Sequence, residues 1–165
     1  MNWKKTMATL FMAGVTVVSV ANNNENKNPI NDKDMEKLEM TQEWDKTFPK
    51  SDKVNHSKVT FRNRYGITLA ADMYVPKNAD GKLPAIAVCG PFGAVKEQAA
   101  GLYAQTMAER GFLTIAFDPS YTGESSGTPR YVVSPDINTE DFSAAVDFLA
   151  TNDGVNSERI GICLL

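Results

Sequence analysis

Leu83-Pro84-Ala85-Ile86-Ala87-Val88-Cys89 is an unbroken apolar run that stops at Gly90-Pro91-Phe92-Gly93. A half-exposed strand alternates apolar and polar residues, whereas a parallel strand covered on both faces is apolar throughout. The run therefore reads as a central parallel strand ending in a glycine-rich turn. Helical spacing follows, with Ala99, Leu102, Tyr103, Thr106 and Met107 on one side and Gly111 at the expected stop. Residues 112–117 are again apolar and end at Asp118-Pro119, before a Gly/Ser/Pro-rich loop over 120–135. Phe142, Ala145, Val146, Leu149 and Ala150 then predict a helix begun near Asn138-Thr139 and stopped by Asn152-Asp153-Gly154. Residues 159–165 predict a last strand. Strand, helix, strand, helix, strand in alternation implies right-handed parallel crossovers and an α/β fold.

Upstream, Val59, Phe61 and Tyr65 are interleaved with Lys58, Thr60, Arg62 and Arg64, and residues 67–75 form a second strand after Gly66. The pair reads as an antiparallel hairpin leading into the parallel sheet. Three segments result: a leader over 1–21, a polar tether and arm over 22–53, and an α/β domain over 54–165. Met1-Asn2-Trp3-Lys4-Lys5 is a basic head, residues 6–20 are apolar, and Ser19-Val20-Ala21 offers a small-residue cleavage site. That order predicts a secretory signal peptide and an exported protein. A membrane anchor left uncleaved is the alternative, although the run is shorter than the roughly 20 residues that span a bilayer. In the arm, Trp44 and Phe48 are the expected anchors onto the core.

The 165 residues carry a net charge of −3, two cysteines and one histidine. No basic stripe follows Lys5, which argues against a nucleic-acid partner. Without a Cys/His cluster no metal site is expected. His56 precedes the first core strand and reads as a surface residue.

Ligands of open α/β sheets bind beyond the C-terminal ends of the strands. In the first such loop, Pro91 has no N–H to give, which leaves the Phe92 and Gly93 amides as candidate donors to an oxyanion. A plain strand-to-helix turn accounts for the same composition. In the second loop, Asp118 reads as a carboxylate locking the turn by accepting backbone N–H groups. Ser125 and Ser126 read as turn residues, because no histidine base lies in reach.

With Gly90-Pro91-Phe92-Gly93, Val95-Lys96-Glu97-Gln98, Asp118-Pro119-Ser120-Tyr121 and Gly123-Glu124-Ser125 in that order, residues 58–162 resemble the α/β-hydrolase superfamily. The likeness is greatest to the branch near dienelactone hydrolases and related secreted bacterial hydrolases. It implies the N-terminal half of an α/β-hydrolase fold, with Cys89 and Cys163 ending neighbouring strands. It also implies hydrolysis of a small ester-like or acyl substrate by a serine or cysteine nucleophile, an oxyanion amide at Phe92, and no cofactor. Gly90 stands where many relatives carry histidine.

In such hydrolases a Gly-x-Ser-x-Gly elbow follows a strand like that at 159–162, and the acid and histidine come later. Leu164 occupies the expected glycine position. The sequence is therefore expected to be truncated after the fifth strand, before the nucleophile, and inactive as this chain. Gly161-Ile162-Cys163 as a displaced elbow with a cysteine nucleophile is the alternative to a buried, inert Cys163. From a different class, the chain would be a non-catalytic module that self-associates through an exposed last strand.

Overall fold

The computed structural model describes residues 36–165, together with the backbone of Thr9–Met12 and Val15–Ser19. The leader and the tether expected N-terminal to the arm lie largely outside the described residues. The elements in order are β1 (Thr9–Met12), β2 (Val15–Ser19), β3 (Val54–Arg62), β4 (Thr68–Pro76), β5 (Leu83–Cys89), α1 (Ala99–Ala108), β6 (Leu113–Phe117), α2 (Pro135–Ala150) and β7 (Val155–Leu164). They form one sheet in the order β1-β2-β7-β5-β6-β4-β3.

The centre of that sheet is parallel. β5 pairs with β6 on one side and with β7 on the other, so that Val88 lies opposite both Ala116 and Cys163. Cys89 and Cys163 thus end neighbouring strands, as the resemblance implies. β3 and β4 form the predicted antiparallel hairpin, and β4 joins β6 antiparallel. Its turn is set by Asn63, whose Oδ1 accepts the N–H groups of Tyr65 and Ile67.

Two apolar layers cover the sheet. On one face Leu69, Ala71, Ala87, Ile115 and Phe117 pack against Ala145 and Leu149 of α2. On the other, Tyr74, Ile86, Val88, Ala116 and Cys163 meet Ala100, Ala104 and Ala108 of α1. An alanine ridge at four-residue spacing lets α1 lie close to the strands, near enough for Thr114 Oγ1 to donate to Ala104 O at 2.8 Å. α2 starts three residues before the predicted Asn138, at Pro135, whose missing N–H costs nothing in a first turn.

Residues 36–53 run as an arm without helix or strand. Phe48 enters the α1-side core, and Trp44 Nε1 donates to Phe48 O at 2.8 Å. Both act as the expected anchors. No helix among the described residues is long and apolar enough to cross a membrane.

Two strand boundaries depart from the sequence reading. β3 begins at Val54 rather than Lys58, because Val54 to Ser57 pair with Met73 to Pro76. β7 begins at Val155, four residues before the predicted Arg159, with an irregularity in its pairing to β5 between Leu83 and Ala85. The outer edge of β7, expected to be exposed, carries β2 antiparallel over Gly161–Cys163. The N–H and C=O groups of that edge are thus partly paired within the chain.

Candidate active site

The loop between β5 and α1 holds the two predicted oxyanion donors. Ala94 N–H donates to Pro91 O at 3.0 Å, closing a four-residue turn with Phe92 and Gly93 at its centre. Gly93 has φ +80°, the left-handed value the third position of a type II turn demands. Neither the Phe92 nor the Gly93 amide donates to another described residue. The Phe92 side chain is 78% exposed. The turn lies just past the C-terminal end of β5. There Leu165 N–H donates to Cys89 O at 3.2 Å, so the end of β7 is alongside.

Three residues beyond Gly93 the same loop is pinned. Lys96 is 0% exposed. Its backbone N–H donates to Asp118 Oδ1 at 2.8 Å, and its ammonium donates to Asp118 Oδ2, also at 2.8 Å. That ammonium further meets Glu124 Oε2 at 2.8 Å and Glu97 Oε1 at 2.5 Å. Burial works against the Lys96 charge, but Asp118 and the hydrogen bonds to Asp118, Glu124 and Glu97 outweigh it and raise its pKa. Asp118 locks the turn as expected, since Glu124 N–H also donates to Oδ2 at 3.0 Å.

The pairing continues outward. Lys58 Nζ lies 2.8 Å from Glu124, 3.3 Å from Asp45 and 3.9 Å from Glu97. Asp45, Glu97 and Glu124 offer ligand atoms within 4.8 Å of one another. The Lys58 ammonium already occupies the position a cation would take among them. The arm joins the same cluster through Thr41 N–H to Glu124 Oε1 at 2.7 Å and Thr47 N–H to Glu97 O at 3.0 Å. Burial pushes the Glu97 pKa up, only partly offset by Lys96. Glu124 is also penalised by burial, yet its bonds to Lys58 and Lys96 leave its pKa lowered.

The loop after β6 is held by its own side chains. Ser125 Oγ accepts Ala70 N–H at 2.9 Å and donates to Asp118 O at 2.7 Å, while Ser126 Oγ accepts Thr68 N–H at 2.9 Å. Both serines are structural, as predicted. Arg130 donates to the carbonyls of Gly123 and Ser125. From α2, the buried Asp141 accepts Ser120 N–H at 2.8 Å, Ser120 Oγ at 2.7 Å and Asn63 Nδ2 at 2.8 Å.

His56 departs from its reading as a surface residue. On β3 it lies opposite Tyr74, under the edge of Trp44 at a ring separation of 5.1 Å, and its Nε2 donates to Asp72 Oδ1 at 2.7 Å. The arm and hairpin close over it. Cys163 is 0% exposed; burial pushes its pKa up, although the Tyr103 hydroxyl donates toward its sulfur. Burial, with the charges of Asp118 and Asp141, pushes the Cys89 thiol up to about 12.

Sequence reasoning quoted Lys96, Glu97 and Glu124 without giving them a role. The available signal was three charged residues within the loops that follow two buried strands. Asp72, a carboxylate inside an apolar strand, was a second such signal.

The family described as X-Pro dipeptidyl-peptidase (S15 family) matches residues 65–163. An uncharacterized protein of Pseudomonas aeruginosa is 75% identical over 126 residues, which cover 76% of this chain and 34% of that protein. The crystal structure of a hypothetical protein from Pseudomonas aeruginosa superposes with a TM-score of 0.76 at 73% identity, over 77% of this chain and 40% of that one. A thiohydrolase of Aspergillus aculeatus is 36% identical over 107 residues, 65% of this chain and 33% of the relative. The chain spans about a third of the length of the curated relatives it matches. By its strand order, its loop sequence and this match, the chain belongs to the S15 family and has the α/β-hydrolase fold.

Proposed function

We propose that the protein hydrolyses small ester or thioester compounds, with the Phe92 and Gly93 amides receiving the oxyanion. The observation that carries this reading is a pair of unengaged backbone N–H groups on a pinned turn at the end of β5. Two donors aimed at one oxygen stabilise the developing charge by about 2.7–4 kcal/mol each. The thiohydrolase name of the Aspergillus relative supports an acyl substrate. In this reading the described residues supply the cradle and not the attacking group. Among the described residues both thiols are held protonated by burial, Ser125 and Ser126 serve the backbone, and His56 is engaged with Asp72. The chain alone is therefore inactive in this reading.

The test is turnover of aryl esters and acyl thioesters by the chain, and by a chimera carrying residues 65–163 in place of the matching segment of the Pseudomonas relative. Background rates are expected for the chain and hydrolysis for the chimera. Phe92→Pro removes one donor at a turn position that suits proline, and should lower the chimera's kcat by about 10²–10³. A chimera inert toward every acyl substrate sinks the proposal. Turnover by the chain that vanishes in Cys163→Ala would make Cys163 the nucleophile.

The basic head and apolar run support export, and cleavage after Ala21 would remove β1 and β2 and bare the β7 edge that β2 covers. N-terminal sequencing of the exported protein should begin at Asn22, and an intact N-terminus in the membrane fraction would favour the anchored alternative.

A further inference from the structure

We propose that Lys96 and Asp118 form a clasp that fixes the Phe92–Gly93 amide pair in place, which makes Lys96 a positioning residue for the oxyanion. The inference rests on the oxyanion reading above and adds what holds that site. Lys96 has no exposed surface, so it cannot touch a substrate. It is gripped twice by one carboxylate, through its backbone N–H and its ammonium, each at 2.8 Å. The grip closes a ring that fixes the backbone of Lys96 three residues from Gly93. Otherwise the loop is tied to the body of the protein chiefly through Glu97 O, which accepts Thr47 N–H from the arm. Its remaining bonds, Ala94 to Pro91 and Gln98 to Val95, are internal to it. Asp118 in turn is seated by its own N–H on Ala70 O at 3.0 Å and by Glu124 N–H. The turn is thus tied to β4 and β6 through Asp118, and to the loop after β6 also through Glu124, which the same ammonium meets at 2.8 Å.

A clasp and a mere positive charge near the site make opposite predictions for one variant. Lys96→Met removes the charge and the ammonium half of the clasp, and leaves the backbone N–H on Asp118 Oδ1. Asp118→Asn removes the clasp's charge but leaves the loop more positive, so simple attraction of anions would rise. The experiment follows the Phe92 and Gly93 amide resonances of the full chain during titration with ethylphosphonate, a stable oxyanion mimic. Far-UV circular dichroism confirms folding of each variant.

Saturable shifts of both amides are expected in the parent chain, with affinity weakened at least fivefold in Lys96→Met and also in Asp118→Asn. Exchange of the Ala94 N–H, which reports closure of the turn, should quicken at least tenfold in both. Tighter binding in Asp118→Asn would show Lys96 to be only a charge, and unchanged binding in both would show that the clasp positions nothing. Either result overturns the inference while leaving the oxyanion reading intact. If the parent amides do not respond, the oxyanion reading fails and the positioning role falls with it. Should Lys96→Met not fold, Asp118→Asn decides alone.

Discussion

His56 Nε2 stands 2.7 Å from Asp72 Oδ1, and the other oxygen of the same carboxylate faces Lys46 Nζ at 3.0 Å. The hairpin supplies the histidine and the acid, and the arm supplies the lysine. Asp72 and the Lys46 side chain are both fully buried. A buried ion pair adds little net stability, but breaking one costs about 3–5 kcal/mol where it strands a charge, and the lower end applies here because Lys46 keeps Asp45 at 2.5 Å. Asp72→Ala should therefore destabilise the chain by about that amount in urea unfolding. Adding Lys46→Met should recover part of the loss, since both charges are then gone. Strict additivity of the two substitutions would mean that the pair does not hold the arm.

Glu97 and Glu124 share Lys96 and Lys58 yet are shifted in opposite directions. Burial, with the charge of Asp118 added, raises Glu97 by more than Lys96 offsets, whereas the bonds of Glu124 to Lys58 and Lys96 outweigh its burial. Because the folded-state pKa of Glu97 is raised, the native chain binds its proton more tightly than the unfolded chain. Glu97 then costs nothing below its unfolded pKa of about 4.3, and the cost grows as pH rises through the folded value. Glu97→Gln should raise stability at neutral pH, and the gain should shrink as the pH falls toward 4. Glu124 has the opposite sign, with stability present above its unfolded value and lost as pH falls through the lowered folded one. Glu124→Gln should therefore destabilise at pH 7 and approach neutrality in acid. Thermal melts from pH 4 to 8 separate the two.

The sheet was legible in the sequence because burial on two faces leaves a local mark. Residues 83–89 are apolar without a break, and the strand has those bounds. The hairpin, the presence of α1 and the serines of the second loop followed from equally local patterns, but α1 buries Ala100, Ala104 and Ala108 rather than the side marked by Ala99, Leu102 and Thr106, and Leu102 is exposed. The charged cluster left no such mark. Lys46, Lys58, Lys96 and their acids come from the arm, β3, β4 and two separate loops, and nearly every one alone reads as a solvated side chain. His56 was placed outside the core for the same reason. Its partners Trp44, Asp72 and Tyr74 belong to other segments, and the four residues that extend β3 to Val54 pair only because β4 lies beside them.

Both cysteines sit at strand ends near the candidate site, where a reactive thiol would be functionally significant. The structure makes them inert: both are buried, and the Cys89 pKa is pushed up to about 12. Only the thiolate alkylates readily. Iodoacetamide at pH 8 should label the native chain at least ~100-fold more slowly than the chain in urea, at both positions. Rapid native labelling of Cys163 would restore the displaced-elbow reading.

Gly123 and Gly93 both have left-handed backbones, at φ +54° and +80°. A side chain in that conformation costs roughly 1–2 kcal/mol. Their surroundings differ. A methyl group on Gly93 would meet nothing within 4 Å, whereas one on Gly123 would overlap the Asp118 carboxylate. That carboxylate cannot retreat, because it holds Lys96 and the Glu124 N–H. Gly93→Ala should therefore cost only the backbone strain, about 1–2 kcal/mol. Gly123→Ala should cost clearly more, about 3 kcal/mol or above, since it breaks a buried charge pair as well. Equal losses in urea unfolding would mean that Asp118 can shift aside, and that the two loops are joined less firmly than the hydrogen bonds imply.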